Sequence, residues 1–338
     1  MEETKMTDDK NLTIGDIAEE LGVSKTTVSR AISGKGRIGE KTREKVLRYI
    51  KEHDYRPNVI AKGLAQSRTY NIGLVIPGSY HLVELPFFQN CMLGIGKTAS
   101  MLDYDVLISV VMPDDISRLR RIVTNHKVDG VILTRTLLED ASVAYLKEAG
   151  IPFVTIGSTG DDAVVQIDND HRSACRELTE SMLAQGLERI ALIGGSQGYV
   201  VNDNRLGGFL DAYEKSGQQP VREQIFLDVE KGEEVEAIVG SLLQKGIECI
   251  ITMDDYLCSC VLNTLRQRRI EVPGRVKVAS FYDSSLLANN IPSITSIQFD
   301  VEELGERACK TLLQMIEGEM TEPHALLGYR ISLRESTA

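Results

Sequence analysis

Two hydrophobic rhythms divide this chain. From Thr13 to about Tyr55 apolar residues recur at helical spacing in short pieces. In TIGDIAEELG, Ile14, Ile17, Ala18 and Leu21 fall at i, i+3, i+4 and i+7. Thr13, with Asp16 three residues on, predicts a capping-box start, and Gly22 predicts a left-handed stop. Ser24 then caps KTTVSRAIS, whose apolar face is Val28, Ala31 and Ile32 and whose other face shows Lys25, Thr26, Ser29 and Arg30. A third segment, EKTREKVLRYIKEHDY, is expected to turn Val46, Leu47, Tyr49 and Ile50 inward and Lys41, Arg43, Lys45, Arg48 and Lys51 outward. Short helices of this length are not stable alone, so the three are expected to pack on one another.

Beyond residue 70 the rhythm changes to short β-branched runs separated by helical stretches. The runs are NIGLVIP, YDVLISVV, VDGVILT and PFVTIG, followed by RIALIGG, QIFLDV, ECIITMD and VKVASFYD. Strands alternating with helices predict parallel sheets with right-handed crossovers. The runs fall into two groups of similar length, which predicts two doubly wound lobes facing a cleft, with ligands held beyond the carboxyl ends of the strands.

Charge sharpens this division. Residues 11–70 carry 12 Lys and Arg against 7 Asp and Glu, whereas residues 71–338 carry 24 against 38. A basic head on an acidic body points to a polyanion as partner of the head alone. Three short helices with a glycine-bearing turn between the first two match a helix-turn-helix reader, whose second helix enters the major groove. Arg30 can pair with a guanine edge through two hydrogen bonds, and the hydroxyls of the same helix suit phosphate oxygens.

With these residues in view, the stretch from Thr13 to Leu64 resembles the DNA-binding head of the LacI/GalR family. The likeness continues through VDGVIL, IPFVTIG, NRLGGFLDAYEKSG, ITMDD, FYDSSLL, PSITSIQFDVEELGERA and the terminal RES, and so spans residues 12 to 337. It implies an all-α helix-turn-helix head and an α/β body of two doubly wound parallel-sheet lobes like those of periplasmic sugar-binding proteins. The expected divisions are 1–55 for the head and 56–70 for a hinge helix or linker. Residues 71–168 with 300–325 are expected to form one lobe, and 169–299 with 326–338 the other.

The same resemblance implies site residues. Lys25, Thr26 and Arg30 are expected to reach base edges, with Ser24, Thr27, Ser29 and Asn58 on the backbone; Thr13, Lys62 and Leu64 complete the DNA-binding set. Leu64 is the expected minor-groove wedge, and the low helix propensity of Gly63 would keep the hinge unformed away from DNA. Gly39 stands where the family commonly has Ser or Thr, a weaker cap for the third helix. For the cleft, Arg205 and Asp255 are the implied ligand residues, with Tyr80, Phe88 and Phe281 as aromatic candidates. Mutual pairing of Arg205 with Asp255 is the alternative reading of those two charges.

The implied function is a homodimeric, cytoplasmic transcriptional regulator, most simply a repressor. It would bind a pseudo-palindromic operator and respond to a small effector, a sugar or sugar derivative, between its lobes. A protein partner in place of the effector, or a solute-binding protein, are the competing readings. No secretory signal or membrane span is expected from the polar start and interrupted apolar runs. Nor is a cofactor, metal or catalytic set expected. Cys258 and Cys260 lack a second ligand pair at zinc spacing, and His53, His81, His126, His171 and His324 accompany no nucleophile motif. GIGKT at 94–98 resembles a P-loop end, but Cys91 replaces the required glycine and the segment reads as helix; GGSQG at 194–198 reads as a loop at a lobe edge.

Overall fold

The computed structural model describes residues 12–34, 36–53, 55, 63, 67–78 and 86–338. They divide into two compact units, 1–69 and 70–338. In the first, α1 (Ile14–Leu21), α2 (Lys25–Ser33) and α3 (Glu40–Glu52) enclose Ile17, Ala18, Val28, Ala31, Val46 and Tyr55. The expected signals act as read. Thr13 and Asp16 form a reciprocal capping box, Gly22 ends α1 at φ 64, and Ser24 Oγ accepts from Thr27 N at the start of α2. Gly39 caps α3 without a side-chain hydrogen bond. Leu47 departs from expectation, for it is 43% exposed. Val46, Tyr49 and Ile50 make the inward stripe at i, i+3 and i+4, and Leu47 lies one helical step off it.

The second unit holds two six-stranded sheets. The first contains β1 (Asn71–Pro77), β2 (Asp105–Val111), β3 (Gly130–Leu133), β4 (Phe153–Ile156), β5 (Val165–Asn169) and β11 (His324–Leu327), in the order β11-β5-β4-β3-β1-β2 and parallel throughout. The second contains β6 (Ile190–Ile193), β7 (Ile225–Phe226), β8 (Cys249–Thr252), β9 (Lys277–Ser280), β10 (Thr295–Phe299) and β12 (Tyr329–Ser332), in the order β12-β10-β9-β8-β6-β7. Only β12 runs antiparallel there, against β10. Every residue of β3, β4, β6 and β8 is buried, as strands covered on both faces require.

Helices cover both faces of each sheet. On the first sheet α4 (Pro86–Met101) and α12 (Val301–Ile316) take one face, and α5 (Ser117–Thr124) and α6 (Ala141–Ala149) the other. On the second, α7 (His171–Leu183) and α8 (Val200–Ser216) lie opposite α9 (Gly232–Gln244) and α10 (Asp255–Gln267), with short α11 (Ser285–Ala288) beside α10. The chain passes between sheets after Asn169, after Phe299 and at Gly328. GIGKT lies inside α4, and its first glycine has a packing use. A Cβ on Gly94 would meet the Glu302 carbonyl oxygen of α12 at 2.1 Å, and one on Gly305 would meet the Cys91 carbonyl oxygen at 2.3 Å, so the two helices touch backbone to backbone.

Candidate functional site

In the three-helix unit, α2 separates into two faces. Val28 and Ala31 are buried, while Ser24, Lys25, Thr26, Ser29 and Arg30 are exposed and Thr27 is half-buried. Ser24 and Thr27 share a hydroxyl–hydroxyl hydrogen bond of 2.8 Å, and Ser24 Oγ also accepts from Thr27 N. One of their two hydroxyl protons therefore remains to donate outward, at a helix N-terminus that favours an anion. Thr13 is exposed but committed, since its hydroxyl donates to Asp16 at 2.7 Å and accepts from Asp16 N at 3.3 Å. Asn58, Lys62 and Leu64 lie outside the described residues.

In the second unit a cavity of about 60 Å³ opens at the carboxyl ends of strands from both sheets. Thr134, Arg135 and Thr136 follow β3, Gly157 follows β4, Asp168 ends β5, Asp254 and Asp255 follow β8, and Tyr282 follows β9. Helix α8 contributes Arg205, α7 contributes His171, and α4 contributes Phe87 and Phe88. The rings of Phe87 and Phe88 meet edge to face at 5.2 Å, and Phe87 meets Tyr282 in the same manner at 6.2 Å.

Of the sequence-derived candidates, Phe88, Arg205 and Asp255 line this cavity. Tyr80 lies outside the described residues. Phe281 does not reach the cavity and is fully buried. It continues the side of β9 that carries Ala279, two residues earlier, and packs with Phe209 and Ile297 under α7 and α8. Tyr282, one residue on, takes the opposite side and supplies the aromatic wall. Nor do Arg205 and Asp255 pair with each other; Arg205 Nε and Asp255 Oδ1 are both covered from solvent and without a hydrogen-bond partner.

Arg135, Asp168 and His171 were not among the candidates. The rule that ligands bind beyond strand ends would have found Arg135, which directly follows VDGVILT's apolar core. Its guanidinium lies 4.1 Å from the centroid of the Tyr199 ring, and its Nη1 is covered and unpartnered. Burial, and then repulsion by Arg205, bring its pKa down from 12.5 to about 10, against the pull of Tyr199 and Asp254. Asp168 accepts from Ser158 N at 2.9 Å, Ser158 Oγ at 2.8 Å and Asn169 N at 2.8 Å, and its Oδ1 lies 3.5 Å from His171 Nε2. Burial still raises Asp168 above the usual carboxylate range. Burial and the charge of Arg205 hold His171 well below its ordinary value, so it is neutral at pH 7. Asp255 is pushed up from 3.8 to about 6 by burial and by neighbouring Asp254, with Ser284 and Arg205 offsetting part of it.

These features are a cleft with facing donors and acceptors, which is the equipment of a binder. Residues 13–58 match the model for bacterial regulatory proteins of the lacI family, and residues 179–337 the periplasmic binding protein-like domain. The transcriptional regulator MalR of Streptococcus pneumoniae is 32% identical over 311 residues, covering 90% of this chain and 93% of that protein. The chain belongs to the LacI family. Catabolite control protein A of Staphylococcus xylosus is 27% identical over 331 residues, 96% of this chain and 99% of that one. Among solved structures, a CelR–cellobiose complex superposes with a TM-score of 0.72 at 28% identity, covering 96% and 99% of the two chains. A lac repressor dimer bound to operator superposes at 0.79 with 24% identity over 97% and 99%, which speaks to the fold. As a LacI-family member the protein is a DNA-binding transcriptional regulator and not an enzyme. Among the described residues no helix is long and apolar enough to cross a membrane.

Proposed function

We propose that this LacI-family protein is a cytoplasmic repressor whose operator affinity is set by a sugar or sugar derivative bound between its two lobes. The observation that carries the cleft reading is a set of buried polar atoms without partners on residues that line the cavity: Arg135 Nη1, Arg205 Nε, Asp255 Oδ1 and His171 Nδ1. Native proteins leave few such groups, and a polyhydroxylated ligand supplies both donors and acceptors to satisfy them. The rings of Phe87, Phe88 and Tyr282 offer an apolar wall for the carbon face of a pyranose. The cellobiose in the CelR complex supports the same ligand class.

On the DNA side, the exposed Lys25, Thr26 and Arg30 serve base edges, while Ser24, Thr27 and Ser29 serve phosphates, with Thr13, Asn58, Lys62 and Leu64 completing the surface. Two copies would place one head in each half of a pseudo-palindrome, protein symmetry mirroring operator symmetry. The body is read as two lobes following the two sheets, so the expected bounds at 168 and 325 move to 169 and 327, where β5 and β11 end. A ligand bridging these lobes changes the angle between them and thereby tightens or relaxes the 56–70 linkers.

The test is selection of bound DNA from a random pool by the full-length protein, with and without a panel of neutral, acidic and phosphorylated monosaccharides and disaccharides. A palindrome enriched in one condition and depleted in the other is the expected result. Absence of any enriched palindrome refutes the operator reading, and enrichment indifferent to every saccharide refutes the effector reading.

A further inference from the structure

Two cations stand in the cleft, and among the described residues no carboxylate is paired with either. Arg135 follows β3 and is stacked on Tyr199; Arg205, on α8, is 6% exposed. Nη1 of the first and Nε of the second are covered and unpartnered, and neither residue forms an ion pair or hydrogen bond among the described residues. The acidic residues around them are mostly committed elsewhere. Asp168 is filled by Ser158 and Asn169, and Asp254 caps α10 by accepting from Leu257 N at 2.8 Å. Asp255 alone keeps an unpartnered oxygen. Asp168, Asp254 and Asp255 line the same cavity and attract these cations without gripping either, so the guanidinium donors stay open to a ligand, and a neutral sugar would engage them only through uncharged hydroxyls. A planar fork held flat by an aromatic face is instead prepared for a carboxylate or a phosphate.

We propose that the ligand of this cleft is a carbohydrate derivative bearing an anionic group, a carboxylate or a phosphate ester, seated between Arg135 and Arg205 while Asp255 accepts from its hydroxyls. This deepens the carbohydrate reading above and rests on it. Selection of the anion falls mainly to Arg135, which lines the cavity with its Nη1 unpartnered; Asp255 contributes hydroxyl recognition common to charged and neutral sugars.

Isothermal calorimetry on the full-length protein at pH 7.5 decides the matter with matched probes. Glucose is compared with glucuronate, gluconate and glucose 6-phosphate, and galactose with galacturonate, galactonate and galactose 6-phosphate. At least one anionic member is expected to bind about tenfold or more tighter than its neutral parent, the gain expected of a charge-assisted paired contact. The carboxylate and phosphate arms identify which anion is meant. Arg135→Gln, checked for folding by the melting of its unliganded form, is expected to bring that preference close to unity. Should Arg135→Gln fail to fold, Arg135→Lys keeps the charge without the fork, and is expected to weaken the preference while retaining part of it. Equal binding of neutral and anionic partners, or a preference unchanged in the variant, overturns this inference and leaves the carbohydrate reading standing. Binding of none of these sugars, nor of the neutral, acidic and phosphorylated disaccharides of the selection panel, overturns the carbohydrate reading and this inference with it.

Discussion

Replacing Asp255 by Asn should make the unliganded protein more stable at neutral pH while weakening its ligand response. The carboxyl is 2% exposed, its Oδ1 has no partner, and burial raises its pKa from 3.8 to about 6. An acid whose folded pKa lies above its unfolded value is harder to ionise in the fold, so stability falls as pH rises from about 3.8 to about 6 and stays lowered above that. The difference corresponds to about 3 kcal/mol at pH 7. Asparagine removes the charge but adds an NH2 group that also needs a partner, so a net gain of about 2 kcal/mol is expected, equivalent to roughly 4–6 °C in a body of this size. Differential scanning calorimetry of both proteins from pH 4 to pH 8 tests this. The melting-temperature gap should be full above pH 6, narrow through the interval below it and turn slightly negative near pH 4, where the charge cost is gone and the unpartnered NH2 remains. A variant melting at or below wild type at pH 7, or a gap that does not change with pH, refutes the reasoning. If the gap is present, the wild-type carboxylate is held at a cost in stability that ligand hydroxyls are positioned to offset.

Three further outcomes follow from other parts of the fold. Arg334 grips Asp283 with two hydrogen bonds of 2.8 Å and also donates to the Ile294 carbonyl and to Ser296, so Arg334→Ala should cost about 3–5 kcal/mol in urea unfolding. Burial pushes Asp283 up, but donation from Arg334, Gln298 and Ser296 outweighs it and holds the pKa below 3.8; the stabilisation is therefore present above pH 3.8 and lost as pH falls below it. Gly94→Ala places a methyl group 2.1 Å from the Glu302 carbonyl oxygen and should destabilise by about 1–3 kcal/mol in the same assay, with no loss at the open position Gly96 as control. Ser24→Ala removes the cap of α2 and should lower head stability by about 1 kcal/mol in circular-dichroism melting. An unchanged midpoint in any of the three contradicts the contact it rests on.

How much of this could be read from the residues alone depended on how local the determining physics was. The head was legible almost to the residue because each signal acts within one turn: Thr13 with Asp16, Gly22, Ser24. The eight expected strands were legible as β-branched runs, and each contains an observed strand. VQIDN, TSIQF, HALL and YRIS were not in that series, although they form β5, β10, β11 and β12. They lie at passages between the sheets, where short, polar-containing segments are completed by strands distant in sequence; β11 joins β5 from more than 150 residues away. Nothing in HALL announces that partner.

The cleft shows the same division between local and assembled information. Arg205 and Asp255 were reached through motifs, but their states were not, because neither burial nor the absence of a partner is written in NRLGGF or ITMDD. Phe281 and Tyr282 differ by one residue, and in a strand one residue is a change of face. Both follow the end of β9: Phe281 joins Ala279 in the core beneath α7 and α8, while Tyr282 turns to the cavity. Position just beyond a carboxyl end brings Arg135, with Thr134 and Thr136, and Tyr282 to the cavity, where a residue chosen for its ring alone does not reach. Side-chain type told what the cleft could bind, but position at the strand ends determines which side chains are there to bind it.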